Sequence, residues 1–231
     1  MKAMILAAGR GERLRPLTDS TPKPMLPVAG KPLLEHHIER LVAAGINQIV
    51  INTCWLAEQI EDYFHDAEHR FGVTIHWSRE TQALETGGGI ANALPLLGEQ
   101  PFVLVNGDVW SDFEFTELCE RRLPEQLDAC LVLVKNPDHN PCGDFALNRD
   151  RVEYGDHNNY TFSGISLIRP SLFANFTDQQ DAFPLRDVLR PAIASGRVGG
   201  TVYTGSWCDV GTVERYRQLQ SAQVIGARRS I

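Results

Sequence analysis

The stretch Lys2-Ala3-Met4-Ile5-Leu6-Ala7-Ala8-Gly9-Arg10-Gly11-Glu12-Arg13-Leu14-Arg15-Pro16-Leu17-Thr18 decides the fold. Its opening, Lys2 to Ala7, is a short apolar run of the kind a fully buried strand requires. Two glycines follow at once, then Arg13. Gly9 and Gly11 let the backbone approach a ligand closely and aim amide N–H groups at an anion, and Arg13 adds a planar cationic fork. In an open α/β sheet, ligands bind beyond the carboxyl ends of the strands, where this turn would lie. Two better-known phosphate loops are excluded. A P-loop needs Lys-Ser/Thr after its last glycine, and Glu12-Arg13 stands there. A dinucleotide fingerprint needs a third glycine where this chain has Leu14.

Outward from this stretch, helix and strand patterns alternate. Pro32 to Ala44 reads as a helix, with Leu34, Ile38, Leu41 and Val42 on one face and Gly45 at its stop. Gln48 to Asn52 is a second short strand, and 55–65 an amphipathic helix carrying Leu56, Ile60 and Phe64. Val73, Ile75 and Trp77 alternate with polar residues as in a half-buried strand. A helix over 88–97, a strand over Phe102 to Val105, a helix over 114–122 and a strand over Cys130 to Val134 continue the rhythm. It predicts an α/β fold with a mostly parallel, mixed sheet covered by helices on both faces. Beyond residue 140, short strands near 145–147, 152–154 and 161–168 suggest an antiparallel extension. Helices near 184–194 and 213–222 close the chain, and 226–231 reads as a mobile tail. No linker or repeat interrupts the pattern, so a single domain over 1–231 is expected.

Composition narrows the function. With 22 basic and 29 acidic residues among 231, the net charge is −7, and a chain of that sign is a poor sequence-independent binder of nucleic acid. Hydrophobic residues make up 43% and charged residues 22%, as in an ordinary globular protein. The longest clean apolar run, Ala129 to Val134, falls far short of the roughly 20 residues of a membrane span, and Ala3 to Ala8 is too short for a signal peptide. The 5 cysteines form no CxxC pair and read as buried, reduced thiols of a cytoplasmic protein. His36-His37 reads as a partly exposed helix face rather than a metal pair.

Several further residues carry chemistry. Lys23, in Pro22-Lys23-Pro24-Met25-Leu26-Pro27, supplies a point charge for phosphate. Asp108 follows the strand Phe102 to Val105, and Asp209 stands in an expected turn before a helix beginning near Thr212. Mg²⁺ takes one or two carboxylates plus phosphate oxygens. Sequence alone does not bring these two Asp together, and either could be a turn or cap residue. Glu80 can accept a ring N–H from uracil or guanine, and the small residues Gly87-Gly88-Gly89 can admit a flat base; a helix-entry loop with a solvated Glu is the other reading.

The run from Leu6 to Pro32 resembles the signature of the sugar-1-phosphate nucleotidyltransferases, roughly LAAGxGxRLxPLTxxxPKPxLPVxGKP, without a break. The similarity continues through Glu80 to Gly88, Asn106-Gly107-Asp108 and Trp207 to Thr212. It implies a Rossmann-like α/β/α sandwich of the NTP-transferase fold, with a nucleotide-binding half over about 1–110 and a sugar-binding half over about 111–225. It implies a nucleotide site of Ala8, Gly9, Gly11, Glu12, Arg13, Lys23, Glu80 and Gly87, with Arg13, Lys23 and Asp108 catalytic. Asp108 and Asp209 would share one Mg²⁺, and Asn106, Gly143, Asp144, Glu153 and Gly164 would face the sugar. The partners would be a nucleoside triphosphate and a sugar 1-phosphate, with no nucleic acid and no membrane; the sequence is silent on the oligomeric state, and a monomer suffices.

Within the family, the short chain, Leu84-Glu85-Thr86-Gly87-Gly88-Gly89, Gly143 to Leu147 and Thr161 to Ile165 resemble the branch that joins UTP to N-acetylmuramate 1-phosphate in bacterial cell-wall recycling. Mannose 1-phosphate with GTP is the alternative. A metal-dependent glycosyltransferase usually shows Asp-x-Asp where this chain has Asn106-Gly107-Asp108. An inactive nucleotide-sugar sensor would have lost Arg13, Lys23 or an Asp, and all are present. Two departures stand out. Glu85 occupies a position where many relatives have Gly, and Glu153-Tyr154-Gly155 lacks the Lys of a common Glu-Lys-Pro triplet. Arg186, on an expected helix near the cleft, is a candidate for the lactyl carboxylate of a muramate substrate, and a plain surface Arg is the favoured reading.

Overall fold

The computed structural model describes residues 1–155, 157–176 and 182–229. The chain runs β1 (Ala3–Leu6), β2 (Pro27–Val28), β3 (Lys31–Pro32), α1 (Leu33–Ala43), β4 (Gln48–Thr53), α2 (Ala57–Tyr63), α3 (Ala67–Phe71), β5 (Thr74–Arg79) and α4 (Glu85–Leu97). It continues β6 (Phe102–Asn106), β7 (Val109–Ser111), α5 (Thr116–Glu120), β8 (Ala129–Lys135), β9 (Ala146–Asn148), β10 (Arg151–Glu153), β11 (Tyr160–Ile168), α6 (Leu185–Ala194), β12 (Val198–Val202), β13 (Trp207–Asp209) and α7 (Val213–Arg229).

The main sheet has the order β5-β4-β1-β6-β11-β8-β12-β10-β9. Strands β5, β4, β1 and β6 pair in parallel, as do β8 and β12. Strand β11 runs antiparallel between β6 and β8, and β10 runs antiparallel to both β12 and β9. Only β11 and β10 therefore oppose the common direction, and the sheet is mixed but mostly parallel as expected.

The two-residue side-chain period divides the core into two layers. Ile5, Ile49, Ile51, Val103 and Val105 point to one face, where Leu34, Ile38 and Leu41 of α1 cover them. Met4, Val50 and Leu104 point to the other, beneath Ile90, Ala93 and Leu97 of α4 and Val188 and Leu189 of α6. Strands buried on both faces read as continuous apolar runs, which is why their sequences barely alternate. A third cluster joins Leu14, Leu26, Val28 and Leu33 to Trp110, Val210, Tyr216 and Leu219. It ties the glycine-rich loop to β7 and α7, and truncating fully buried Leu14 to Ala would cost roughly 2–5 kcal/mol.

Three expectations are corrected. His37 is 3% exposed, with Nε2 unpartnered, and burial pushes its pKa down to about 4. His36 is half-buried, its Nε2 lying 2.8 Å from the Val28 carbonyl. The histidine pair is therefore packed, because α1 is covered on that side too. Asp209 does not sit in a turn: it ends β13, which pairs antiparallel with β7. Cys142 is exposed, whereas Cys130 is buried, and all five thiols are free. The last helix continues to Arg229, and 230–231 of the expected tail lie outside the described residues. Among the described residues, no helix is long and apolar enough to cross a membrane.

Candidate active site

Strand β1 lies between β4 and β6, so the chain leaves its carboxyl end at a topological switch point, where open α/β sheets bind ligands. A cavity of about 410 Å³ opens there, lined by Ala8, Gly9, Gly11, Glu12, Arg13, Lys23, Glu80 and Asp108 among others. Gly11 has φ 69°, and an added Cβ would meet Thr18 Cγ2 at 3.0 Å and Lys23 Cβ at 3.1 Å. It therefore serves both backbone conformation and packing. An added Cβ on Gly9 would meet nothing within 4 Å, so its bareness answers no need inside the protein and leaves the loop open to a ligand. Arg13 is exposed at this mouth, and its guanidinium forms no ion pair among the described residues.

The far wall is a buried polar relay. The Ala7 amide donates to Asn52 Oδ1 at 2.8 Å, and Asn52 Nδ2 donates to Glu80 Oε1 at 2.7 Å. The Leu84 amide donates to Glu80 Oε2 at 3.0 Å. Burial raises the Glu80 pKa, and these two donors pull the other way. Glu80 is thus no solvated loop residue; it is tied through Asn52 to the end of β1. An added Cβ on Gly89 would come within 2.8 Å of both Asn52 Nδ2 and Glu80 Oε1, so that glycine makes room for the relay. Gly87 is a correction: it is buried and does not line the cavity. Its amide and that of Gly88 donate to the Phe183 carbonyl, and a Cβ there would strike the Phe183 ring. Glu85 and Thr86 take the cavity wall instead. Glu85 holds φ 58°, a left-handed conformation costly for a side-chain-bearing residue.

Asp108 stands at the meeting of two spaces. The Gly107 amide donates to the Leu6 carbonyl, which sets the turn after β6 against the end of β1. A second cavity of about 360 Å³ shares Arg13, Asn106 and Asp108 with the first. Asp209, distant in sequence, arrives through the β7–β13 ladder: it pairs with Val109, and the Val210 amide donates to the Asp108 carbonyl. Lys23 Nζ lies 2.5 Å from Asp108 Oδ2, and Lys23 is only 8% exposed. Asp209 Oδ2 lies 3.2 Å from Arg215 Nη2. Its Oδ1 lies 3.0 Å from His139 Nε2, but without the alignment of a hydrogen bond, and is left buried and unpartnered. Asn106 Oδ1 is likewise buried without a partner. Two carboxylates and an orphaned amide oxygen fit a hard divalent cation that completes its shell with phosphate oxygens.

The second cavity also holds Asp144 and Gly164. Asp144 Oδ2 accepts from the Phe162 amide at 2.8 Å and Oδ1 from Asn140 at 3.1 Å. Gly164, with φ 81°, sits at a register shift in β11 where a Cβ would collide with Asn106. Two expected sugar contacts are corrected. Gly143 holds a turn against Asn136 and the Asn158 carbonyl and does not line the cavity. Glu153 is exposed on β10, accepts from Asn148 and also lies off the cavity. Arg186 is exposed beside Asp187, away from both cavities. Sequence reasoning missed Asn52, His139 and Arg215; the first ends a strand that looked merely structural, and the others had no motif around them.

Comparison with known proteins places the chain in a family. The profile of a family described as nucleotidyl transferase matches residues 2–147. The chain is 52% identical over 96% of its length, and 97% of the relative's, to an N-acetylmuramate alpha-1-phosphate uridylyltransferase of Neisseria meningitidis serogroup B. It is 35% identical, over 90% of this chain and 91% of the other, to a protein of the same description from Caulobacter vibrioides. Among solved structures, a UDP-glucose pyrophosphorylase complexed with UDP-glucose superposes with TM-score 0.81 at 21% identity, covering 97% of this chain and 98% of that one.

Proposed function

The chain belongs to the nucleotidyl transferase family and is an enzyme of the sugar-1-phosphate nucleotidyltransferase kind, and from that premise we propose that it joins UTP to N-acetylmuramate 1-phosphate, releasing pyrophosphate and UDP-N-acetylmuramate for reuse in peptidoglycan. The observation that carries the reading of the site is the shared rim: Arg13, Asn106 and Asp108 border both cavities, so a triphosphate in one and a sugar phosphate in the other meet beside Asp108. The near full-length similarity to the Neisseria protein supports the choice of base and sugar.

The chemistry follows from position and charge. An oxygen of the sugar phosphate attacks the α-phosphorus; the new P–O bond forms as the bond to the β-phosphate oxygen breaks, and pyrophosphate leaves in line. No covalent enzyme intermediate is needed, so the protein's work is positioning and electrostatic stabilisation. Gly9, Gly11 and Arg13 hold the departing pyrophosphate, with Ala8 and Glu12 completing the wall. Lys23 exchanges its contact with Asp108 for the α-phosphate. Glu80, oriented by Asn52, accepts the ring N–H of uracil. Asn106, Asp144 and the backbone near Gly164 face the sugar. Asp108 and Asp209 would hold Mg²⁺, which would supply neutralising charge to phosphate oxygens. One domain does both tasks, with the nucleotide against residues 1–110 and the sugar against 111–225. A nucleoside triphosphate substrate and free thiols suit the cytoplasm.

The test is pyrophosphate release with each common nucleoside triphosphate against the 1-phosphates of N-acetylmuramate, N-acetylglucosamine, mannose and glucose. UTP with the muramate substrate should be preferred. A best pair of GTP with mannose 1-phosphate would reject this assignment.

A further inference from the structure

We propose that Arg215 receives the phosphate of the sugar substrate, an inference that rests on the sugar-phosphate reading above and adds a residue to it. Three carboxylates, Asp108, Asp144 and Asp209, border the second cavity, where a phosphate must come to rest. Asp108 is offset by Lys23 at rest and would be offset by Mg²⁺ once Lys23 turns to the α-phosphate, and Asp144 is held by neutral donors. The approaching anion needs a further cation, and Arg13 also serves the first cavity, where the triphosphate gathers its charge. The segment Glu153-Tyr154-Gly155 brings no cation to the cavity.

Arg215 is placed to meet that need. It lies in the first turns of α7, lines the second cavity and has a side chain only 14% exposed. Its one ion pair among the described residues, from Nη2 to Asp209, engages a small part of a guanidinium with five N–H donors. Its Nε is buried with no partner. An orphaned donor on a buried charged group marks a place where an acceptor belongs. Gly211 keeps the space open, because a Cβ there would overlap Arg215 Nη2. A phosphate matches the planar fork with paired oxygens and full charge, which a sugar hydroxyl does not.

The experiment compares wild type with Arg215→Gln and Arg215→Lys, after circular dichroism shows that all are folded. With UTP and either N-acetylmuramate or N-acetylglucosamine 1-phosphate, Arg215→Gln should raise KM for the sugar phosphate about tenfold or more, as expected for a charge-assisted fork, and Arg215→Lys should restore part. KM for UTP and the half-saturating Mg²⁺ concentration should stay within about twofold. A loss confined to the muramate substrate would assign Arg215 to the lactyl carboxylate and overturn the proposal. So would a shifted Mg²⁺ requirement with unchanged sugar KM, because Arg215 would then only position Asp209. If wild type turns over neither sugar, the proposed function fails on its own. Arg215 is still judged by calorimetric titration of N-acetylglucosamine 1-phosphate in EDTA, where wild type should bind and the Gln variant should bind more weakly. Equal affinities, or no binding by wild type, would overturn the assignment.

Discussion

Replacing Asn52 by Asp should turn the buried relay behind the first cavity into a pH-dependent weakness. The substitution is nearly isosteric: the new side chain can still accept the Ala7 amide, but it sets a second carboxylate where Asn52 Nδ2 now lies 2.7 Å from Glu80 Oε1. Two ionised carboxylates at that separation repel by about 6 kcal/mol at an effective dielectric near 20. Binding one shared proton is cheaper. Starting from an ordinary carboxyl of pKa about 4.3, protonation costs about 4 kcal/mol at pH 7 and about 1 kcal/mol at pH 5. Burial already raises the Glu80 pKa, so these figures are upper bounds. The sign follows from linkage: the native pair keeps a proton that the unfolded chain gives up, so stability is present at low pH and is lost as pH rises. Urea unfolding of wild type and Asn52→Asp at the two pH values should show a destabilisation of about 3–4 kcal/mol at pH 7 shrinking to about 1 kcal/mol at pH 5. A destabilisation equal at both would refute the reasoning, because it would mean that water or a displaced Glu80 had relieved the pair. Asn52→Leu is the control: it orphans the Ala7 amide and Glu80 Oε1 at about 1–3 kcal/mol each, with far less pH dependence.

Asp108→Ala and Asp209→Ala should each abolish pyrophosphate release, and near wild-type turnover in either would sink the metal assignment. Asp108→Ala should also lower stability by about 1–2 kcal/mol in chemical denaturation, less than for a fully buried pair, because it strands the buried Lys23 ammonium beside a partly solvated position. Lys23→Ala should cost about 2–4 kcal/mol of transition-state stabilisation and fall mainly on kcat; unaltered kcat with weaker UTP binding would make Lys23 a docking residue. His37 supplies a second pH test. Its pKa of about 4 lies below the ordinary 6.5, so its contribution is present above 6.5 and is lost as pH falls toward 4, about 3 kcal/mol in all. His37→Leu should flatten the acid limb of a stability profile, and an unchanged slope would show that His37 does not govern it.

The alternating pattern exposed the sandwich because the inner parallel strands are buried on both faces and each covering helix on one. Those are local demands that a contiguous segment must meet by itself. The loop from Ala8 to Lys23 was legible for the same reason: Gly11 answers its own φ, Leu14 its own burial, and Arg13 stays free on the outside of the turn. Glycine runs were less legible. Gly9 is bare toward a cavity, Gly87 toward Phe183 and Gly89 toward Asn52 and Glu80, and nothing in the letters distinguishes a ligand from a neighbouring side chain.

By itself, the sequence determined the sheet and its helical cover, the loop at the end of β1 and the residue types fit for phosphate chemistry. Only the tertiary structure decided that Asp209 comes beside Asp108 through the β7–β13 ladder, and that Arg215 and His139 converge on it. It also set Gly143 and Glu153 outside the lining of the second cavity. The physical reason is that backbone conformation and burial periodicity are set over a few neighbouring residues. The meeting of charges from remote segments is set by strand pairing and by the packing of Leu14, Trp110, Val210 and Tyr216, which no local stretch contains.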